Sequence, residues 1–156
     1  MGTATRWACR LHDLLTAAIA VLVVADPFRR RRREADWAHW LPAQQRLDRV
    51  ICRVEPPLFA ATIASGVAAA VLSLASGRWA AAVGRGLAAA ADVRAVRVAL
   101  AVNDPVEHEL ASWRVEEEPL DWQTVRGRWE GGHEIRRVLL GAGAVATAVA
   151  TRAERN

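Results

Sequence analysis

Lysine and tyrosine are absent from this chain of 156 residues, and cysteine appears only twice. All 21 basic residues are therefore arginine. Exchange of arginine for lysine at every surface position has no single physical cause, so it reads as the codon bias of a GC-rich bacterial genome and says little about function. Cys9 and Cys52 are too few and too far apart for a disulfide framework or a zinc site, and read as two small hydrophobes. The histidines, His12, His39, His108 and His133, lack the paired His and carboxylate spacing of a helix-borne metal site, so no metal ligands are expected. Long uninterrupted apolar runs are also scarce. Only residues 57–75 stay uncharged over the length of about 20 residues that crosses a hydrocarbon core.

Three further segments are apolar in bulk, which makes four in all. Residues 11–25 are interrupted by His12 and Asp13 and closed by Asp26-Pro27. Residues 80–102 contain Arg85, Asp92, Arg94 and Arg97, and ionisable groups at that depth must face a bundle interior or a wet cavity. Residues 138–150 are rich in alanine and glycine. Arg6 and Arg10 before the first segment, and the small residues before Asp26, resemble a secretory signal. A proline directly after such a cut hinders processing, so an uncleaved first helix is expected. Small residues at Ala60, Ala64 and Ala68 in the second segment permit close helix approach in a bilayer. The expected fold is an all-α, up-down four-helix bundle, transmembrane, forming a single domain over residues 1–156. Its helices are placed near 11–25, 57–75, 80–102 and 123–150.

Charge and connectors fill out the picture. A net charge of +4 and a pI near 10.7 raise the question of nucleic acid. No groove-reading motif accompanies the arginines, and five of them, at 29–33, sit where the flank of a membrane segment would be, so nucleic acid is excluded as a partner and membrane lipid expected. Both long connectors emerge at one end of an up-down bundle. The positive-inside rule directs that end to the cytoplasmic face of a bacterial cytoplasmic membrane. In the first connector, Trp37 and Trp40 read as an interfacial pair, and residues 42–54 show helical spacing of a short amphipathic helix lying on the bundle mouth.

The second long connector, together with the start of the fourth segment, carries the richest chemistry. Arg126, Trp129, His133, Arg136 and Arg137 recur at steps of three and four, which places them within an arc of roughly 100° on a helix. That face offers an aromatic plate, an imidazole and several guanidiniums. It can bind a flat, electron-rich or anionic molecule and move a proton on it.

The strings VNDPVEHELASW and DWQTVRGRWEGGHEIRRVLL resemble the signature of the anthrone oxygenase-like family of small four-helix membrane proteins. The family pattern is matched at Asn103, Pro105, Leu110, Trp113, Trp122, Arg126, Trp129, His133 and Arg136. It departs at Glu107, where the family has a second asparagine. The resemblance implies oxidation of a polycyclic phenol by molecular oxygen with no metal, flavin or other cofactor. In that reading His133, Arg126 and Arg136 are catalytic, and Asn103, Trp113, Trp129 and Glu107 bind a small aromatic substrate.

The same residues yield a mechanism from elementary chemistry. A phenol of this type reacts with oxygen once deprotonated, so a base, a stabiliser of the enolate and access for oxygen suffice. His133 is the natural base, the arginines hold the enolate oxygen, and Trp129 and Trp113 stack on the rings. Each residue also has a plainer role. Asn103-x-Pro105 terminates helices generally, tryptophans form interfacial belts, and Arg136 and Arg137 flank the fourth helix. Two alternatives to the enzyme therefore stand. One is a non-enzymatic four-helix membrane protein that binds a ligand or partner through its polar mouth. The other is a soluble helical bundle, consistent with a mean hydropathy of only +0.07.

Overall fold

The computed structural model describes residues 2–24 and 35–155. The arginine run at 29–33 and the expected end of the first segment at Asp26-Pro27 lie outside them. Among the described residues every regular element is helical. Helix α1 covers Thr3–Ile19 and widens into a π-helical turn at Ala20–Val24. Helix α2 is Trp37–Ala75, α3 is Trp79–Val98, α4 is the short Asp104–Ser112, and α5 is Trp122–Arg155.

Long-range contacts fix the topology. At one end of the molecule Arg85 of α3 reaches Asp13 of α1 and Glu154 of α5. At the other end Glu55 of α2 meets Arg136 of α5, and Asn103 meets Trp129. Between these ends His12 of α1 reaches Thr62 of α2 and Thr147 of α5. The four long helices therefore run alternately up and down, as expected. The connector end carries α4 and the first half of α2.

Two boundaries differ from expectation. The first helix begins at Thr3, well before residue 11. Residues 42–54 do not form a separate helix on the bundle mouth; they are continuous with the second segment in one helix of 39 residues. Pro42, Pro56 and Pro57 lie inside it. Each interior proline removes a backbone donor, which costs about 3 kcal/mol or more in an isolated helix. Packing at both ends holds the helix continuous through them. Trp37, Trp40 and Leu41 are buried at its start, and Phe59 is buried in the bundle. The carbonyls deprived of partners by Pro56 and Pro57 belong to Cys52 and Arg53, both exposed. Trp37 and Trp40 are accordingly a core pair rather than an interfacial one.

The distribution of polarity across the bundle is inverted. Over residues 11–22, 56–75, 79–93 and 135–149, every exposed position is apolar or glycine. All polar and ionisable residues within these ranges turn inward or toward the helix seams. His12, Thr16, Thr62, Ser65, Ser73, Arg85, Asp92, Arg136 and Thr147 are buried, while Asp13 and Arg137 are half-buried. This explains why α2 alone among the described helices is long and apolar enough by composition to cross a membrane. Helix α1 is only 17 residues long, and α3 and α5 carry charges, among them the buried Arg85, Asp92 and Arg136, that dilute their hydropathy.

Helix α3 packs tightly against α5 at Gly84. A β-carbon there would lie 2.9 Å from the Ala150 side chain and 3.0 Å from the Ala146 carbonyl oxygen. A carbonyl on a neighbouring backbone cannot swing aside, so Gly84→Ala is expected to cost about 1–3 kcal/mol through overpacking. Gly86, two residues on and in open space on the other side of the helix, serves as the control. Gly86→Ala removes a weak helix former and should be neutral or stabilising by up to about 1 kcal/mol. Melting temperatures of the two variants under identical conditions check the contrast.

Candidate functional site

Asn103 sits where α3 gives way to α4. The Asn-x-Pro sequence does not end the helix. It reroutes it through a π-helical turn, Ala99–Asn103, directly into α4. Pro105 has no N–H for the carbonyl four residues back and its ring crowds that position. The chain opens to a wider turn instead, with the Asp104 N–H bonded to the Ala99 carbonyl. Such π-turns often accompany functional sites. Here the turn buries Asn103 to 1% exposure. Its Nδ2 donates to the Trp129 carbonyl at 3.0 Å, and its Oδ1 is buried with no partner among the described residues. Gly132 makes room for it, since a β-carbon there would meet the Asn103 amide at 2.8 Å.

Around Asn103 the helices gather a compact polar cluster. The His133 ring packs on Trp129 with centroids 3.9 Å apart. The Trp129 indole Nε1 donates to Glu107 Oε1 at 3.4 Å. Glu107 Oε2 faces the Cys52 thiol at 3.8 Å. Arg136, almost fully buried, pairs with Glu55 at 2.6 Å and lies 5.7 Å from the centre of the Phe59 ring. A cleft of about 440 Å³ between α2 and α4 reaches Glu107 from outside, with Gln45, Asp48, Cys52 and His108 among its walls. That volume suits a small organic molecule.

Two expected site residues stand elsewhere. Trp113 and Arg126 belong to a tryptophan cluster that ties the start of α2 to the start of α5. Trp37 is 5.5 Å from Trp113 and 5.6 Å from Trp122, and Trp40 is 5.8 Å from Trp122, between ring centroids. The Arg126 guanidinium lies over Trp40 and Trp122 at 5.3 and 5.8 Å. It also donates to Glu130 and to the Ala35 carbonyl, both at 3.0 Å. Its position is that of a cation on an aromatic stack. Arg126 precedes His133 by two helical turns, about 10 Å of rise. Asn103, Glu107, Trp129, His133 and Arg136 are thus brought together, while Trp113 and Arg126 build the support behind them.

Sequence reasoning missed Glu55 and Cys52. Both lie in the part of α2 that reads as a connector, and only the continuity of that helix brings them to α5 and α4. The signal that existed was the helical spacing of residues 42–54, which runs in phase with the segment that follows. Among the described residues no group of three or more His, Cys, Asp or Glu side chains is arranged to hold a metal ion.

Burial holds the Glu107 carboxyl above the usual carboxylate range, with the Trp129 hydrogen bond and the Arg136 charge pulling the other way. The folded chain therefore binds this proton more tightly than the unfolded chain. Its contribution to stability is fully present below the ordinary value of 4.5 and is lost as pH rises through the raised one. Glu107→Gln is expected to flatten the fall in melting temperature over the range just above pH 4.5 and to leave the alkaline side unchanged. An unaltered pH profile would show that this carboxyl is not the group responsible.

No match to this chain is found among protein-family models, among curated proteins or among solved structures.

Proposed function

We propose that this chain is an integral membrane protein that takes a flat phenolic molecule into the cleft between α2 and α4 and removes a proton from it without a cofactor. The membrane reading is supported by the inverted polarity of the bundle. A soluble protein rarely exposes so continuous an apolar surface, and charged residues confined to a bundle interior are the pattern of membrane helices. The apolar exterior of α2 runs for about 20 residues, or about 30 Å along a helix, the thickness of a hydrocarbon core. The arginines of the connector end, Arg46, Arg49 and Arg53 among them, orient that end toward the cytoplasm by the positive-inside rule.

The chemical reading is supported by one observation: the Trp129 indole packs against the His133 imidazole and donates to Glu107, and Glu107 in turn lines the cleft. His133 takes the proton, Glu107 and Asn103 position the substrate hydroxyl and carbonyl, and Trp129 offers its ring as the stacking surface. In an anthrone-type substrate the resulting carbanion is oxidised by molecular oxygen from a methylene to a carbonyl. One oxygen atom enters the product and the other leaves as water. This agrees with the resemblance to the anthrone oxygenase-like family, and Glu107 in place of asparagine points to a substrate with an additional hydroxyl donor.

A second reading, binding without turnover, is favoured by the pairing of the arginines. Arg136 is paired with Glu55, which leaves its buried Nε unmatched among the described residues, and Arg126 with Glu130 and the tryptophans, so both cations already have a counter-charge and neither is held free for an enolate. Oxygen consumption by the purified protein with a panel of polycyclic phenols separates the two. Uptake that depends on His133 supports the enzyme. Quenching of tryptophan fluorescence by the same phenols without oxygen uptake supports the binder, and neither signal would overturn both.

A further inference from the structure

On the opposite end of the bundle from this cleft, α1 and α5 enclose a lateral groove of about 670 Å³ that the proposed chemistry does not use. Its floor is sealed at depth by polar contacts. His12 meets the Thr147 hydroxyl at 3.3 Å, and the Thr151 hydroxyl donates to Asp13 at 3.1 Å. Its outer wall is apolar, formed by Ala17, Ala144, Val145 and Ala148. At its mouth Arg152 and Arg155, three residues apart on the last turns of α5, are exposed and make no ion pair among the described residues. Asp13, the one acid lining the groove, is already satisfied by Arg85 and Thr151. Thr16, a lining residue two turns below the arginines, is 7% exposed, and its hydroxyl has no partner among the described residues.

We infer that this groove holds one anionic glycerophospholipid. The inference rests on the membrane reading given above and is independent of the chemistry at the other end. Two unpaired guanidiniums side by side match a phosphate, to which arginine donates in a fork. Below it, Thr16 supplies a donor in the depth range of the ester carbonyls, and the alanine and valine wall lies against an acyl chain. Each component of the groove meets the part of the lipid found at its own depth. A second protein helix would leave the two arginines and the buried hydroxyl unmatched.

The test uses the full chain, purified in a mild detergent, stripped of lipid and titrated with phosphatidylglycerol or phosphatidylcholine of identical acyl chains. Lipid adducts are read by native mass spectrometry. One phosphatidylglycerol should be retained at about tenfold lower concentration than phosphatidylcholine. R152A/R155A should abolish that preference, and T16V, which keeps side-chain shape, should weaken retention of both lipids. R6A/R10A removes two arginines at the same end of the bundle but outside the groove and should change nothing. Equal retention of the two lipids would overturn the inference, as would loss of the preference in R6A/R10A, which would assign it to net charge alone. Loss of the preference in R152A/R155A with T16V unaffected would also overturn it, since no groove would then be involved. Alkaline extraction of the same cells reads the membrane reading separately. Protein released into the supernatant contradicts membrane insertion, whereas membrane-retained protein without lipid preference contradicts only the groove.

Discussion

Arg85→Ala should be among the most destabilising single substitutions in the bundle, lowering stability by about 3–5 kcal/mol, because it strands the buried Glu154 carboxylate and deprives the half-buried Asp13 of its cation. Arg85 is completely buried. Its Nε and one terminal nitrogen bond Glu154 at 3.0 and 3.1 Å, and the other terminal nitrogen bonds Asp13 at 2.9 Å. Thr151 adds a hydroxyl to Asp13, and the Cys9 thiol faces Glu154 at 3.2 Å. A single guanidinium thus ties α1, α3 and α5 together at one depth. With the cation gone, Asp13 and Glu154 must bind protons or admit water. Arg85→Lys keeps the charge but cannot fork to two carboxylates, so it should recover part of the loss. Fluorescence-detected size exclusion after heating measures both variants. A melting temperature for Arg85→Ala within two degrees of the parent would show that the network is not structural.

The second large effect is expected at His133. If the imidazole is the proton acceptor of the proposed reaction, His133→Ala lowers oxygen uptake with a responsive phenol by roughly two to four orders of magnitude, the range for loss of a general base. Melting temperature and phenol-induced quenching should be retained, because His133 is half-buried and Trp129 keeps its hydrogen bond to Glu107. Asn103→Ala should behave differently. It removes the amide that caps the Trp129 carbonyl and fills the space beside Gly132, so it should weaken both folding and binding. Retained turnover in His133→Ala would move the base to Glu107 or end the catalytic reading.

The periodicity of the apolar segments was enough to read an all-helical bundle of four long helices with alternating direction. The stripe on α5 was also legible, since Arg126, Trp129 and Arg136 are all buried on one side of that helix. What periodicity cannot report is which partner takes each buried arginine. Arg126 and Arg136 look equivalent on a helical wheel, yet one lies on a tryptophan stack and the other against Glu55, because different stretches of α2 pass over them. The start of α2 was obscured by Pro42, Pro56 and Pro57, which locally argue for breaks and are overruled by packing at both ends. Asn103-x-Pro105 misled in the same way. The local rule says terminate, and the chain takes a π-turn because Asn103 is held by Trp129. The charges in residues 80–102 were expected to face a bundle interior, and Arg85 and Asp92 do, whereas Arg94 and Arg97 are exposed beyond the apolar stretch of the outer face.

Everything proposed for the two ends of the molecule depends on the bundle lying within a bilayer with its apolar exterior toward lipid. Site-directed spin labels at Leu14, Val71, Leu87 and Val145, all exposed and one on each long helix, report this directly. The labels are placed in a chain with Cys9→Ala and Cys52→Ser, reconstituted in vesicles. Accessibility is measured to oxygen, which partitions into the hydrocarbon, and to a water-soluble nickel chelate, which does not. All four positions should show high oxygen and low nickel accessibility, with Glu116 in the connector showing the reverse. High nickel accessibility at the labels on α1, α3 and α5 would contradict the account, leaving a bundle whose apolar face meets water or another protein instead of lipid.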